Sequence, residues 1–366
     1  MKMKMRILSA TLAAVVTSSA LVGCAQQTPP PATNTTPVTE TPTTETPTTE
    51  TPPVASTNSG SQRTGIGVVT GVGSSKSATA EAAGSAQIDS TIAVVTVDAD
   101  GKITHCIIDA TQTKVPVASN GDVTKDGLIL KSKSELQDDY GMRARSGIGK
   151  EWFEQTEALA EHVIGKTLAE VAAIALDDSG KPTDADLATH VTISSDSYIE
   201  AVQKAIQNAV AGTEANGAIK TGAGVTTTAE SSSSASRVQV DTYIAAVTLD
   251  ADGKIVNCSI DVAQTRVPVS ATGELTTDVN LKTKHELKDE YNMRGNSGIS
   301  KEWFEQADTF AQYVIGKTLA EVKAIPMDTI DDGAHWFPDV PELATTVTIG
   351  VSDYLEVIEK AINNAK

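Results

Sequence analysis

Two short apolar, β-branched runs open the patterned part of the chain, Ile92–Val97 and Ile103–Ile108. They are joined by Asp98-Ala99-Asp100-Gly101, a hairpin turn signal, and the pattern predicts two antiparallel strands. The same pattern returns at Tyr243–Leu249 and Ile255–Ile260. Further on the spacing changes from strand to helix. Trp152, Thr156, Leu159 and Val163 fall at steps of four, three and four, as do Trp303, Ala307, Phe310 and Val314. Gly165 and Gly316 end these helices, and Leu168–Ala173 suggests a further short one. Ile199, Val202 and Ile206, matched by Leu355, Ile358 and Ile362, mark a last amphipathic helix in each half. Strands followed by helices predict an α+β fold, an antiparallel-rich sheet with helices on one side and a C-terminal helix.

The matches are more than periodic. Val97-Asp-Ala-Asp-Gly-Lys-Ile103 recurs as Leu249–Ile255, Glu151-Trp-Phe-Glu-Gln155 as Glu302–Gln306, and Val163–Val171 as Val314–Val322. The separation is 152 residues at the first block and 151 at the next two, then 156 at a pair of threonines near each end. Such a period is too long for a solenoid repeat and predicts tandem duplicated domains over 62–213 and 214–366, with an insertion ahead of the second threonine.

The N-terminal region reads as processing and tether. Lys2, Lys4 and Arg6 precede an apolar run, Ile7–Leu21, too short to span a bilayer. Leu21-Val-Gly-Cys24 resembles the lipobox of bacterial lipoproteins, which implies a signal peptide over 1–23 and lipidation of Cys24. The other reading is a secretory signal with a chance cysteine. Residues 24–61 are rich in Pro and Thr and predict a disordered linker; about 30 such residues at about 3.1 Å each reach roughly 90 Å when fully extended. A net charge of −18 argues against nucleic acid as a partner. Beyond Cys24 only Cys106 and Cys258 remain, one per half inside an apolar run, and read as small buried hydrophobes. His is scarce and no CxxC, CxxCH or His-rich metal spacing occurs.

The chemistry-bearing segment is Asp186-Leu-Ala-Thr189-His-Val-Thr192, repeated as Glu342-Leu-Ala-Thr345-Thr-Val-Thr348. Each copy lies just before the last helix, where free N–H groups and the macrodipole favour an anion. Ser194, Asp196, Ser197, Ser352 and Asp353 are candidate caps. Read plainly, this is a polar strand edge. Read functionally, a hydroxyl stands beside an anion site, twice. The segment resembles D-x-x-[S/T]-G-A-[S/T], the acceptor motif of the FMN-binding-domain family. His190-Val191 and Thr346-Val347 replace its Gly-Ala, and Glu342 replaces its Asp. Ser146-Gly147-Ile148-Gly149 and Ser297-Gly298-Ile299-Ser300 are similar to the family's T-P-G-L-G loop, though a plain helix-start loop reads equally well. Arg143 and Arg294 are candidates to stabilise a reduced flavin, or else surface residues; Trp152 and Trp303 fit core packing better than stacking on a cofactor.

The resemblance covers both halves and implies two covalent FMN groups, on Thr192 and Thr348, attached by an FMN transferase of the ApbE type. It further implies a lipid-anchored electron carrier on the outer face of the cytoplasmic membrane, extending into the cell wall. Such a carrier takes electrons from a membrane NADH dehydrogenase and quinone chain and passes them to extracellular acceptors such as ferric iron. It is an electron-transfer flavoprotein rather than a substrate-specific enzyme. The alternative is a ligand-binding or cell-wall scaffold lipoprotein with no redox cofactor.

Overall fold

The computed structural model describes residues 62–330 and 335–366, so the leader, Cys24 and the Pro/Thr tract lie outside the described residues. The first half begins with strands β1 (Arg63–Gly71), β2 (Gly84–Val97) and β3 (Ile103–Val117). Helices α1 (Lys133–Leu136), α2 (Trp152–Val163), α3 (Leu168–Ala172), α4 (Leu187–His190) and α5 (Asp196–Gln207) follow, then a two-residue strand β4 (Val210–Ala211). The second half repeats this order with β5 (Lys220–Thr228), β6 (Arg237–Leu249), β7 (Ile255–Pro268), α6 (Lys284–Leu287), α7 (Trp303–Val314) and α8 (Leu319–Lys323). It then departs: a hairpin, β8 (Met327–Ile330) and β9 (His335–Pro338), precedes the last helix α9 (Ser352–Asn363). The fold is α+β with antiparallel sheets, ordered β3-β2-β1-β4 and β5-β6-β7.

The predicted turn forms as expected. Asp98 Oδ1 accepts from the N–H groups of Asp100 and Lys102, and Gly101 takes φ +76°. Some of the helices are capped by sequence-local chemistry: Glu151 and Glu154 form a capping box on α2, as do Thr167 and Glu170 on α3. Along α2, Trp152, Thr156, Leu159 and Val163 are buried, which is the predicted stripe. A fully buried Leu side chain such as Leu159 contributes about 2 kcal/mol.

The sheets are covered on both faces, not on one as the pattern suggested. Ala93, Val95 and Val97 turn toward α2 and α5, while Ile92 and Val94 turn the other way. There they meet Ala223, Val225, Ile244, Ala246 and Ala263 of the second half. The physical reason is visible in Ile92-Ala-Val-Val95, which is apolar at both parities and so buries both faces. A second shared cluster joins Ala86, Ile88, Val115 and Val117 to Val238, Val240, Val267 and Val269. The described residues accordingly form one compact unit.

Pairs of matching contacts cross this junction. Thr64 Oγ1 bonds Thr248 Oγ1 at 2.8 Å, and Thr96 Oγ1 bonds Thr221 Oγ1 at 2.8 Å. Lys204 pairs with Glu286 at 3.0 Å, and Lys360 with Glu135 at 2.9 Å. Each bond has a counterpart with the halves exchanged, the signature of an approximate two-fold. β1 and β5 carry glycines because the last helix crosses them closely. A Cβ on Gly67 would strike the Ala201 carbonyl, and one on Gly224 the Val357 carbonyl.

Candidate functional site

The threonines are held by a residue that the spacing did not single out. Gln155, on α2, is fully buried, and its Oε1 accepts from Thr192 N at 2.9 Å and from Thr192 Oγ1 at 3.2 Å. Its Nε2 donates to Ser146 Oγ at 3.3 Å and to the Lys150 carbonyl at 3.4 Å. One amide therefore links the threonine segment to the Ser146–Gly149 loop. Gln306 repeats the arrangement: Thr348 N at 2.8 Å, Thr348 Oγ1 at 3.2 Å, Ser297 Oγ at 3.3 Å and the Lys301 carbonyl at 3.4 Å. A buried amide with no partner would be costly, so the four bonds fix both segments against the helix. Thr192 is half-buried and Thr348 exposed.

Glu151, at the start of α2, fixes the preceding loop. Its carboxylate accepts from Met142 N at 2.9 Å and Arg143 N at 2.6 Å; Glu302 does the same for Met293 N and Arg294 N at 2.8 Å. Burial opposes ionisation of Glu151, but the N–H donors of Arg143, Met142 and Trp152 outweigh it and hold its carboxyl below the usual range.

The arginines are engaged already. Arg143 contacts Asp138 at 2.8 Å and Glu154 at 2.7 Å, and donates to the Gly149 carbonyl at 3.2 Å. Arg294 contacts Asp289 at 2.8 Å and Glu305 at 2.9 Å, and donates to the Ser300 carbonyl at 3.1 Å. Two carboxylates offset each guanidinium, so these arginines act as clamps on the Ser-Gly-Ile loops. Gly149 has φ +63° and Ser300 takes the same left-handed turn at φ +54°. Gly147 and Gly298 adopt ordinary backbone angles and face open space.

Asp186, Thr189, Glu342 and Thr345 turn outward and are exposed. Thr189 Oγ1 donates to the Asp186 carbonyl at 2.7 Å, a local helix bond, while Leu187 and Val191 are the buried anchors. His190 Nδ1 lies 3.1 Å from Lys150 Nζ. The last helices start without a side-chain cap: Ser195 and Val351 stand at the N-cap positions, and none of the expected residues makes that bond. Ser194 instead bonds Asp196 Oδ1 at 2.7 Å. Asp184, which the pattern did not mark, caps α4 by accepting from Leu187 N at 2.9 Å.

Trp152 and Trp303 are core residues. Each is 2% exposed and donates its Nε1–H to a tyrosine oxygen at 2.8 Å, Tyr198 and Tyr354 respectively. Lys133 and Lys284 sit over those indole rings, each 5.4 Å from the centroid. Cys258 is buried and Cys106 only half-buried; loss of solvent around the sulfur pushes both thiols up to about 12, so neither supplies a thiolate near neutral pH. Among the described residues no group of three His, Cys, Asp or Glu could hold a metal ion, and no helix is long and apolar enough to cross a membrane.

Gln155, Gln306, Glu151 and Glu302 were within reach of the sequence. Glu-Trp-Phe-Glu-Gln is identical in both halves, and its Gln falls on the face of the Trp, a polar side chain on an apolar stripe.

The chain is similar to a chlorophenol reductase of Desulfitobacterium hafniense, 38% identical over 85 residues. The match covers 20% of this chain and spans about a quarter of that protein, 26% of its length. No protein-family model matches the chain, and no solved structure does.

Proposed function

We propose that this chain is a lipid-anchored electron carrier built from two FMN-binding-type domains, with FMN esterified to Thr192 and Thr348. The observation that carries the reading is the pair of part-exposed threonines, each bonded through its hydroxyl to a buried glutamine that also grips a Ser-Gly-Ile loop. A polar strand edge has no use for a fully buried amide dedicated to it in both halves.

The attachment end suits a phosphoester. Donation of the hydroxyl proton to Gln155 Oε1 leaves the lone pairs of Thr192 Oγ1 turned away from the helix. The first N–H groups of α5, uncapped by any side chain, and the ammonium of Lys150 beside His190 favour the remaining phosphate charge. Gly147 and Gly298 leave open space above the loop. Arg143 and Arg294 do not serve as free cations; they keep those loops in place. FMN, when bound, supplies reversible uptake and release of electrons, and the chain supplies attachment, orientation and field.

On this reading an FMN transferase of the ApbE type loads both sites. Electrons come from a membrane NADH dehydrogenase and quinone chain and leave to extracellular acceptors such as ferric iron. The anchor on Cys24 and the linker hold the carrier at the outer face of the cytoplasmic membrane and let it reach outward. The name of the matched relative is that of a reductase, which agrees with a redox role and lends no substrate.

Intact mass after co-expression with the transferase tests the proposal. The expected gain is one FMN less one water for each loaded half, lost stepwise in Thr192→Ala and Thr348→Ala. An unshifted mass with active transferase overturns it and leaves the scaffold lipoprotein.

A further inference from the structure

The two halves differ most sharply three residues after the threonines. In the first half Ser195 N, at the head of α5, donates to the Gly180 carbonyl at 2.7 Å. In the second half Val351 N, at the head of α9, donates to the Trp336 carbonyl at 2.8 Å. Gly180 and Trp336 are thus equivalent positions. Gly180 has φ +76°, a conformation that L side chains rarely adopt, and a Cβ there would meet the side chains of Asp196 and Ser194, so the first half carries no side chain at this point. The second half has the β8–β9 hairpin here, which puts the backbone of a tryptophan at the equivalent position. Trp336 is 42% exposed, whereas the other two tryptophans are buried. Thr348 and Val351 are three residues apart, so the Trp336 carbonyl lies within about 14 Å of the Thr348 backbone even if that segment is fully extended.

We propose that Trp336 is an aromatic platform for a flat ligand carried on Thr348, so that the two cofactor sites of this chain are not equivalent. The inference rests on the FMN reading of Thr348. Trp336 is part-exposed and its carbonyl is tied to the head of α9, three residues from Thr348, so its ring is within the span of a ligand tethered there and can stack on a planar group. The first half, with Gly180, offers no such face.

The test uses the full chain co-expressed with the transferase, in four forms: Thr192→Ala, Thr348→Ala, Thr192→Ala with Trp336→Ala, and Thr192→Ala with Trp336→Phe. Mass reports loading and flavin fluorescence reports stacking, because an indole in contact with a flavin quenches its emission. With FMN present, the flavin on Thr348 is expected to be dimmer than that on Thr192 by about two- to tenfold, the range that aromatic pairing supports. Trp336→Ala restores the emission, and Trp336→Phe restores it in large part because benzene quenches poorly. Equal brightness of the loaded Thr192→Ala protein with and without Trp336 overturns the platform while leaving FMN attachment intact. If mass shows no FMN on Thr348, attachment there fails, and free FMN titrated against the unmodified chain decides on the platform. Saturable loss of tryptophan emission that Trp336→Ala removes supports it, and no such loss overturns it.

Discussion

Replacing Gln155 with leucine isolates the amide that joins the two halves of the candidate site. Leucine has nearly the same volume, so the core around α2 stays filled and the change is one of hydrogen bonding. Thr192 Oγ1 can turn to solvent at little cost. Thr192 N–H cannot turn, and losing its acceptor costs about 1–3 kcal/mol; Ser146 Oγ and the Lys150 carbonyl lose only long, weak bonds. Removing a buried amide offsets part of this. The net expectation is a loss of about 0.5–2 kcal/mol, or about 1–3 °C in Tm for a folded unit of this size. Gln306→Leu costs less, because Thr348 is exposed and its N–H is closer to water. Thermal unfolding followed by circular dichroism gives the first number. Hydrogen exchange read by mass spectrometry on the segment 187–195 gives the second, with Thr192 N–H losing protection while α2 keeps its own. An unchanged Tm together with unchanged exchange over 187–195 refutes the claim that Gln155 fixes the threonine.

Three further outcomes follow from other parts of the structure. Ser300 holds the left-handed turn that Gly149 holds in the first half, so Ser300→Gly is expected to stabilise by about 1 kcal/mol and Gly149→Ala to destabilise by as much, measured by urea unfolding. Asp109 and Asp261 are buried, and burial raises both above the usual carboxylate range despite N–H and hydroxyl donors. The folded state then holds its proton longer than the unfolded one, so stability falls as pH rises from about 4 toward the folded value. Asp109→Asn is expected to remove the Asp109 share of that fall and leave that of Asp261, gaining stability at pH 7 relative to pH 3.5 in paired unfolding curves; an identical pH profile counts against it. The segment 62–213 expressed alone bares the apolar face formed by Ile66, Val68, Ile92 and Val94, so size-exclusion chromatography should find a dimer or aggregate, and a well-folded monomer contradicts the shared core.

What could be read from the sequence, and what could not, divides along a physical line. Wherever one residue type at one spacing settles the outcome, the reading and the structure agree: α2 spans Trp152–Val163, Gly165 follows it with φ +78°, and Asp98 closes the β2–β3 turn. β1 and β5 escaped notice because Gly65, Gly67, Gly222 and Gly224 break a strand pattern; those glycines answer to a helix that packs across them from far along the chain. The second buried sheet face was also hidden, although Ile92–Val97 is apolar at both parities, because such a run does not say what lies opposite. At the candidate site the pattern marked the threonines, the loops and the arginines, but not the acids that pair with the arginines. Their charge is offset by Asp138, Glu154, Asp289 and Glu305, partners that only folding brings to them. The glutamines are the instructive case. A buried polar residue is costly unless something far away in sequence satisfies it, so Gln155, repeated as Gln306 on an apolar stripe, already implied unseen partners. Those partners proved to be Thr192 and Thr348, the residues singled out on other grounds, and that convergence is the strongest reason to test them first.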